Sequence, residues 1–374
     1  MQLHRHMSIA LDPRERGLDI GRTWAEQTRR TARLYSDFFA TLGVAGQKVR
    51  TIAEGSHEAL RNWSPALAEE AEGWAAGAGL TTWELSVVNA RTEILVAAPK
   101  KAGGHECSTA VYAPAAGGVP QTLQTWDWHH DLTPDGLLLA VTPNPGWTTK
   151  SFTEFGTLGK IGVNSEGLGL HFNILAHASD NDSAGVPVHA VARRILDEAS
   201  SITQAIAIAS SARVSASTVF TVFTAGSETP ANVVTQATTP QSSPPGAVSI
   251  EVSPAGTAVV HAGSDGWLLH TNHFLDPVLA QGDAIDDGAL SPQRLAHLAA
   301  VRADLAGHGV ADRAKQFCSS EGAASVVCFH PDASVPRHEQ WQTLLTVSID
   351  AGDGLLAYAA ANPADAAASG FHTF

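Results

Sequence analysis

Cys107 stands in "AGGHECSTAVYA", and Asp127 follows in "QTWDW". The β-like runs "CSTAVYA" and "VPQTLQTWDW" flank the turn-rich "PAAGG" and read as a hairpin. With residue 113 opposite 119, residue 107 falls opposite about 125. Asp127 is then a same-face diagonal neighbour of Cys107. A carboxylate beside a thiol raises its pKa and blunts it as a nucleophile. The conflict disappears if the bond between Glu106 and Cys107 is cut. Cys107 then carries a free α-amine with an ordinary pKa of about 7.7–8.0, which can act as the base at neutral pH. Asp127 would hold that amine when it is protonated.

His129, His130 and Asp131 form the one candidate metal cluster. Adjacent histidines on a strand point to opposite faces, so a single ion is hard to grip. A metal-dependent hydrolase using this cluster is the alternative from another enzyme class, and an uncut, non-catalytic binding protein is a third. No nucleophile elbow, Walker A loop or dinucleotide fingerprint is present. The other two cysteines, Cys318 and Cys328, read as buried core thiols. Three cysteines without a C-x-x-C pair fit neither a disulfide framework nor a cysteine zinc site.

These residues need elements to position them. The first hundred residues read as helical. Trp24, Thr28, Ala32, Tyr35 and Phe39 recur at helical spacing, and Gly43 ends the pattern. Ser64 and Pro65 open a second helix with proline at its first position. Thr81 and Glu84 have the spacing of a capping box, which starts a third helix through "LSVVNARTEIL". Pro99, Gly103 and Gly104 then break the chain. Beyond the hairpin, "LLLAVTP", "GKIGVN" and "LGLHFNIL" read as strands, followed by the helix "VHAVARRILDEAS" and another capped by Ser201 and Gln204. Further strands are expected at 218–224, 247–252, 257–261 and 266–270, with 226–246 a surface loop. "SPQRLAHLAAVRADLAGHG" reads as a well-capped helix, and "ASVVCFH" and "TLLTVSID" as closing strands. The order implies an α+β layered fold with a helical N-terminal segment.

The 374 residues are 44% hydrophobic and 16% charged, as expected of a compact globular chain. A net charge of -14 without clustered Lys or Arg argues against nucleic-acid partners and anionic membranes. No apolar run approaches the roughly 18 residues that span a bilayer. The N-terminus lacks the apolar core of a secretory signal, so the expected location is cytoplasmic.

Six motifs occur in one order: "NARTE", "ECST", "QTWDW", "GKIGVNSEGLGLHFNIL", "HTNHF" and "VVCFHPD". Together they resemble the acyl-coenzyme A:isopenicillin N (6-aminopenicillanic acid) acyltransferase family of cysteine N-terminal nucleophile hydrolases, from about residue 20 to the end. The resemblance implies a four-layer αββα sandwich, a precursor that cuts itself before its cysteine, and amide hydrolysis or acyl transfer through a thioester. It divides the chain into an α part, 1–106, and a β part, 107–374, which remain associated as one compact domain. Cys107 matches the nucleophile, Glu106–Cys107 the self-cleavage site and Asp127 the supporting carboxylate. Asn272 matches the asparagine whose side-chain amide donates to the oxyanion. Asn164 and Asn173 are assigned to the pocket wall. Arg91 and Glu93 read as an ion pair bracing the α part, and His273 as a supporting group. No cofactor or metal is expected. The expected partner is a small-molecule amide, with an acyl-CoA or an amine acceptor as second reactant; homo-oligomerisation is left open. Two departures stand out. Glu106 replaces the usual glycine, and Phe329 follows the cysteine of "VCFHPD" where relatives often carry a basic residue, which leaves Arg337 as the candidate charge.

Overall fold

A parallel strand pair joins the first residues of the chain to the region after Cys107. In the computed structural model, which describes residues 1–99, 107–114, 117–225, 246–285 and 290–374, strand β1 (Gln2–Ser8) pairs with β4 (Asp135–Val141). Between them run helices α1 (Pro13–Thr23), α2 (Ala25–Thr41), α3 (Gly46–Trp63), α4 (Pro65–Ala78), α5 (Thr82–Asn89) and α6 (Arg91–Leu95), then strands β2 (Ser108–Tyr112) and β3 (Gln121–Trp128). After β4 come β5 (Thr149–Thr153), β6 (Ile161–Asn164), β7 (Leu168–Ile174), α7 (Val188–Glu198) and α8 (Ile202–Ser211). Strands β8 (Thr218–Thr224), β9 (Gly246–Ser253), β10 (Gly256–His261) and β11 (Trp267–His270) follow. The chain continues through α9 (Ser291–Val301), α10 (Val310–Phe317), β12 (Gln342–Asp350), β13 (Leu355–Ala359), α11 (Pro363–Ser369) and β14 (His372–Thr373).

The strands form two sheets. One is eight-stranded, ordered β1-β4-β5-β6-β7-β8-β9-β10, and the other six-stranded, ordered β11-β2-β3-β12-β13-β14. They face each other: Gln124 Nε2 on β3 donates to Phe172 O on β7 at 2.8 Å, and Thr109 Oγ1 on β2 donates to Asn173 Oδ1 at 2.8 Å. Alternation along β4 sorts its residues. Leu138 joins the core between the sheets, while Leu137, Leu139 and Val141 pack outward against Ile20, Leu67 and Trp74 of α1 and α4. On the far side, Ala110 and Leu123 pack against Leu298 of α9 and Phe317 of α10. The layers are therefore helix, sheet, sheet, helix, the αββα sandwich that the resemblance implies.

Two devices bind the N-terminal helices to the rest. Helices α1 and α4 meet at glycines: a Cβ at Gly17 would lie 2.0 Å from Glu70 O, so the two backbones touch where no larger residue fits. Glu70 is fully buried between two arginines. Arg16 Nε donates to it at 2.6 Å from α1, and Arg193 Nη1 at 2.8 Å from α7. Burial alone would raise its pKa, but Arg193 and Arg16 outweigh that and hold it low.

Several sequence expectations need correction. The first hundred residues are not wholly helical, since β1 precedes α1. The helix expected to run through residue 95 breaks at Ala90 (φ -100°, ψ 24°), separating α5 from α6, although its capping box forms, with Thr81 N donating to Glu84 Oε2 at 2.7 Å. "ASVVCFH" is no strand. Val327 and Cys328 are buried against α10, and turn bonds such as Cys328 N to Ser325 O at 2.8 Å satisfy the backbone without a ladder. Helix α9 is not capped by a side chain. Its N-cap is Leu290 at φ 50°, and the helix stops at Val301. Strands β12 and β13 are followed by α11 and β14 rather than ending the chain. The loop expected at 226–246 lies outside the described residues except for Gly246, which starts β9, and so do Gly103, Gly104, Glu106 and part of the "PAAGG" turn.

Replacing Glu70 by Gln removes the charge that two buried guanidinium groups share. Glu70→Gln is expected to lower unfolding free energy by about 3–5 kcal/mol in chemical denaturation. A loss below about 1 kcal/mol, the scale of an exposed pair, would contradict this role.

Candidate active site

Cys107 sits just before β2, with both ends of its backbone fastened. Its N–H donates to Asn272 Oδ1 at 2.7 Å. Its carbonyl accepts from Arg294 Nη1 at 2.7 Å and from Asn173 Nδ2 at 3.1 Å. Asn173 is the last but one residue of β7, Asn272 follows β11, and Arg294 lies in the first turn of α9. All four residues are buried. Arg294 also donates to Ser108 Oγ at 3.1 Å and Asn272 Oδ1 at 3.0 Å, so one guanidinium ties three partners together. Ser291, which does not cap α9, fastens the loop instead. Its Oγ accepts from Asn272 N at 2.8 Å and lies 2.7 Å from His273 Nδ1.

This geometry fixes the orientation of the Asn272 side chain. Both neighbours of its Oδ1 are donors, so that atom must be the oxygen. Its Nδ2 donates one hydrogen to Ile174 O at 2.7 Å and keeps a second N–H. Asn272 therefore holds the Cys107 nitrogen through its oxygen, with one amide N–H left over.

The hairpin register also differs from the expected one. Ser108 pairs with Thr125 and Tyr112 with Gln121, which puts Cys107 opposite Trp126. Asp127 lies one residue further along β3, on the other face from Trp126, so it is not a same-face diagonal neighbour. It still reaches the thiol, with its backbone N–H bonding to Cys107 and its charge acting on it. On the next strand Asp127 pairs with Thr343, where the β3–β12 ladder shifts register between Thr343 and Leu345. Bulges of this kind re-aim side chains beside sites.

The electrostatics disfavour charge on both the thiol and the carboxyl. Burial, and then the Asp127 charge, push the Cys107 thiol up to about 12, against the Asp127 N–H, Arg294 and Lys160. Burial pushes the Asp127 carboxyl up to about 7, with the Thr343 hydroxyl and Arg294 opposing it. Neither Asp127 oxygen makes a well-formed hydrogen bond among the described residues. The thiol and carboxyl line a cavity with Asn272, Arg91 and Trp341. Its volume is about 10 Å³, room for about one water.

Other expected residues fall elsewhere. Asn164 does not line this cavity. It braces the β6–β7 turn, donating to Ala199 O at 2.8 Å and accepting from Leu168 N at 3.0 Å. Arg91 and Glu93 form no ion pair with each other. Glu93 Oε1 accepts from Val188 N at 2.8 Å at the start of α7, while Arg91 Nη2 donates to Glu154 Oε2 at 2.9 Å. Arg337 is 81% exposed and pairs with Asp131 at 2.8 Å, so the charge beside Cys107 comes from Arg294 instead. His129 is buried against Phe38 and Trp341 while His130 and Asp131 are exposed, so the three do not converge. No group of metal-ligating residues forms among the described residues. Arg294 itself escapes sequence reasoning, as do Glu154 and Lys160. A basic residue in a helix's first turn reads as a solvated charge, and no spacing rule connects residues 107 and 294.

Residues 117–365 match the sequence model of the acyl-coenzyme A:6-aminopenicillanic acid acyl-transferase family. The chain belongs to this family. Asp127, Asn272 and Arg294 lie within the match, and Cys107 just before it. One member of the acyltransferase family, the acyl-coenzyme A:6-aminopenicillanic-acid-acyltransferase 40 kDa form of Emericella nidulans, is 29% identical over 244 residues. The alignment takes in 63% of this chain and 61% of the relative, so the chain spans about three fifths of that protein's length. Among solved structures, a mutant of the conjugated bile acid hydrolase from Clostridium perfringens aligns with a TM-score of 0.43 and 11% identity, over 68% of this chain and 89% of that one. Penicillin V acylase from Agrobacterium tumefaciens aligns at 0.31 and 14%, over 68% and 83%. Both similarities are too low to carry any residue across. Among the described residues, no helix is long and apolar enough to cross a membrane.

The raised Asp127 pKa can be read directly. In Cys107→Ala protein, the Asp127 carboxyl should titrate near 7 in difference infrared spectra, with Asp127→Asn as control. The folded pKa lies above the unfolded value of about 3.9, so the cost of ionised Asp127 is absent below about 3.9 and complete above the folded pKa. Stability contributed by this group therefore falls as pH rises through that window. Titration at an ordinary carboxylate pKa would contradict the buried placement.

Proposed function

We propose that this chain is a self-processing cysteine amidase or acyltransferase acting through an acyl-thioester on Cys107. The observation that carries the reading is the double clamp on Cys107, with its N–H on Asn272 and its carbonyl on Arg294 and Asn173, beside a buried carboxyl. A strand-end cysteine kept for packing needs none of these. Membership of the acyltransferase family supports acyl transfer or amide hydrolysis as the reaction class.

In the uncut chain the thiol is protonated and needs a base. Ionised Asp127 takes its proton, and Sγ attacks the carbonyl carbon of Glu106. The C–N bond breaks, the Cys107 nitrogen gains a proton, and a thioester forms. Water then releases the Glu106 carboxylate and restores the thiol. Asn272 Oδ1, already bonded to this nitrogen, becomes an acceptor for the new amine, and Asp127 balances its charge when it is protonated. In turnover the neutral α-amine takes the thiol proton, and Sγ attacks the amide carbon of a small-molecule substrate. The leaving amine takes the proton from the α-ammonium. The acyl group then passes to water, or to an amine acceptor; an acyl-CoA could serve as donor in the same chemistry. The α and β parts would stay associated, since β1 and the Arg16–Glu70–Arg193 cluster bridge them.

Two measurements test this. Denaturing mass analysis should show fragments of 106 and 268 residues, which sum to the 374 of the chain, while Cys107→Ala stays whole and inactive. Full activity in Cys107→Ala would defeat the mechanism. The rate of self-cleavage should rise with pH through about 7 and then level, because protonated Asp127 cannot act as the base. A rate that falls across this range, or Asp127→Asn cutting at the normal rate, would exclude Asp127 as that base.

A further inference from the structure

The two cysteines that the proposed reaction does not use lie against each other. Cys318 is the C-cap of α10, Cys328 stands ten residues further on, and their Sγ atoms are 3.4 Å apart. Both are free and buried, packed with Phe317, Val327 and Leu298 on the outer face of the six-stranded sheet. Packing alone does not require sulfur on both sides of one contact. The Cys328 S–H donates to Gly322 O at 3.6 Å, which leaves Cys318 as the donor between the two sulfurs. That bond favours a Cys328 thiolate against its burial, and the Ala364 N–H adds to it. The same bond, together with burial, holds Cys318 protonated. One thiol is thus suited to attack and its neighbour to follow.

The chain between them is a turn outside both sheets. Ser319 (φ 53°) and Gly322 (φ 56°) bend it back, and Ser320, Glu321, Ala323 and Ala324 are exposed. A reagent as small as hydrogen peroxide needs only a local opening of this turn to reach the sulfurs. Cys328 also adjoins the catalytic region. Phe329 N donates to Thr343 Oγ1 at 2.9 Å, Phe329 O accepts from Thr343 N at 3.1 Å, and Thr343 pairs with Asp127. A bond made at Cys328 therefore forms one residue from the segment that supports that carboxyl.

We propose that Cys318 and Cys328 are a redox-active pair, closed to a disulfide by hydroperoxides and reopened by dithiols. The Cys328 thiolate attacks one peroxide oxygen; an S–O bond forms, the O–O bond breaks, and hydroxide leaves and is protonated to water. Cys318, giving up its proton, then attacks the Cys328 sulfur; the S–S bond forms, the S–O bond breaks, and a second water leaves. Two thiols are oxidised to one disulfide and one peroxide is reduced to two waters. A dithiol reverses the step by exchange and becomes a disulfide itself.

The test uses folded, full-length Cys107→Ala protein, in which two of the three cysteines remain. It is treated with hydrogen peroxide in an excess that oxidises free cysteine completely, cleared with catalase, alkylated with iodoacetamide in denaturant and digested without reductant. Alkylatable thiols should fall from two to none, with the Cys318 and Cys328 peptides joined and lighter by two hydrogens, and dithiothreitol should return both. Two thiols still alkylatable, a joint between separate chains, or Cys328 carried to a sulfinic acid that dithiothreitol does not reverse would each overturn the proposal. Cys318→Ser in the same background removes the resolving thiol, so dimedone should trap a sulfenic acid on Cys328. In Cys328→Ser the Cys318 thiol should stay unlabelled by dimedone; a sulfenic acid there instead would overturn the order of attack. The protein tested lacks Cys107, so the result is independent of which reaction the site performs.

Discussion

Everything at this site depends on fixing the backbone of one residue at the end of a strand. Cys107 lies just before β2, and its carbonyl side continues into that strand. Its nitrogen is held by Asn272 and its carbonyl by Arg294 and Asn173, three side chains from elements far apart in sequence. Each of them is itself anchored. Asn272 is tied to Ile174 and Ser291, Asn173 to Thr109 and Gln124, and Arg294 to the turn that Ser291 fastens. The two sheets must therefore stack in register for the clamp to exist. A shift of one strand would separate Asn173 from the cysteine.

The same packing makes the site latent. Burial that positions the thiol also disfavours its charge, and burial of Asp127 disfavours a second negative charge beside it. An amine created at the clamped nitrogen would relieve both effects, supplying a base and a counter-ion without any rearrangement. The cost of buried charge would then be lower in a cut chain than in an uncut one. On the Arg91 side of the cavity, Glu154 accepts from both Arg91 and Lys160.

Much of the frame is legible in the residues. The period of α2, the proline at the start of α4, the Thr81–Glu84 box and the alternation along β7 and β8 reflect local rules, and the elements form where those rules put them. What fails is non-local. β1, "QLHRHMS", carries polar residues because it is an edge strand, and only its partner β4 makes it a strand. "ASVVCFH" has a strand's composition, yet Val327 and Cys328 are buried by helices instead of by a ladder. The hairpin register differs by one because Tyr112 pairs with Gln121, so the connection between β2 and β3 is longer than "PAAGG" alone. For the site, Cys107 and Asp127 draw attention through their own chemistry. Arg294 does not, since its importance lies in where α9 begins. The orientation of Asn272 is set by the donors around it, which no motif records.

The account stands or falls on a covalent intermediate at Cys107. The protein should be quenched in acid during reaction with a panel of acyl-CoA thioesters and acyl anilides, digested, and weighed by mass spectrometry. The peptide beginning at Cys107 is predicted to carry the acyl mass, and neutral hydroxylamine to remove it, as expected of a thioester. Turnover with no acyl group on Cys107, or with a hydroxylamine-stable adduct on another residue, would contradict it.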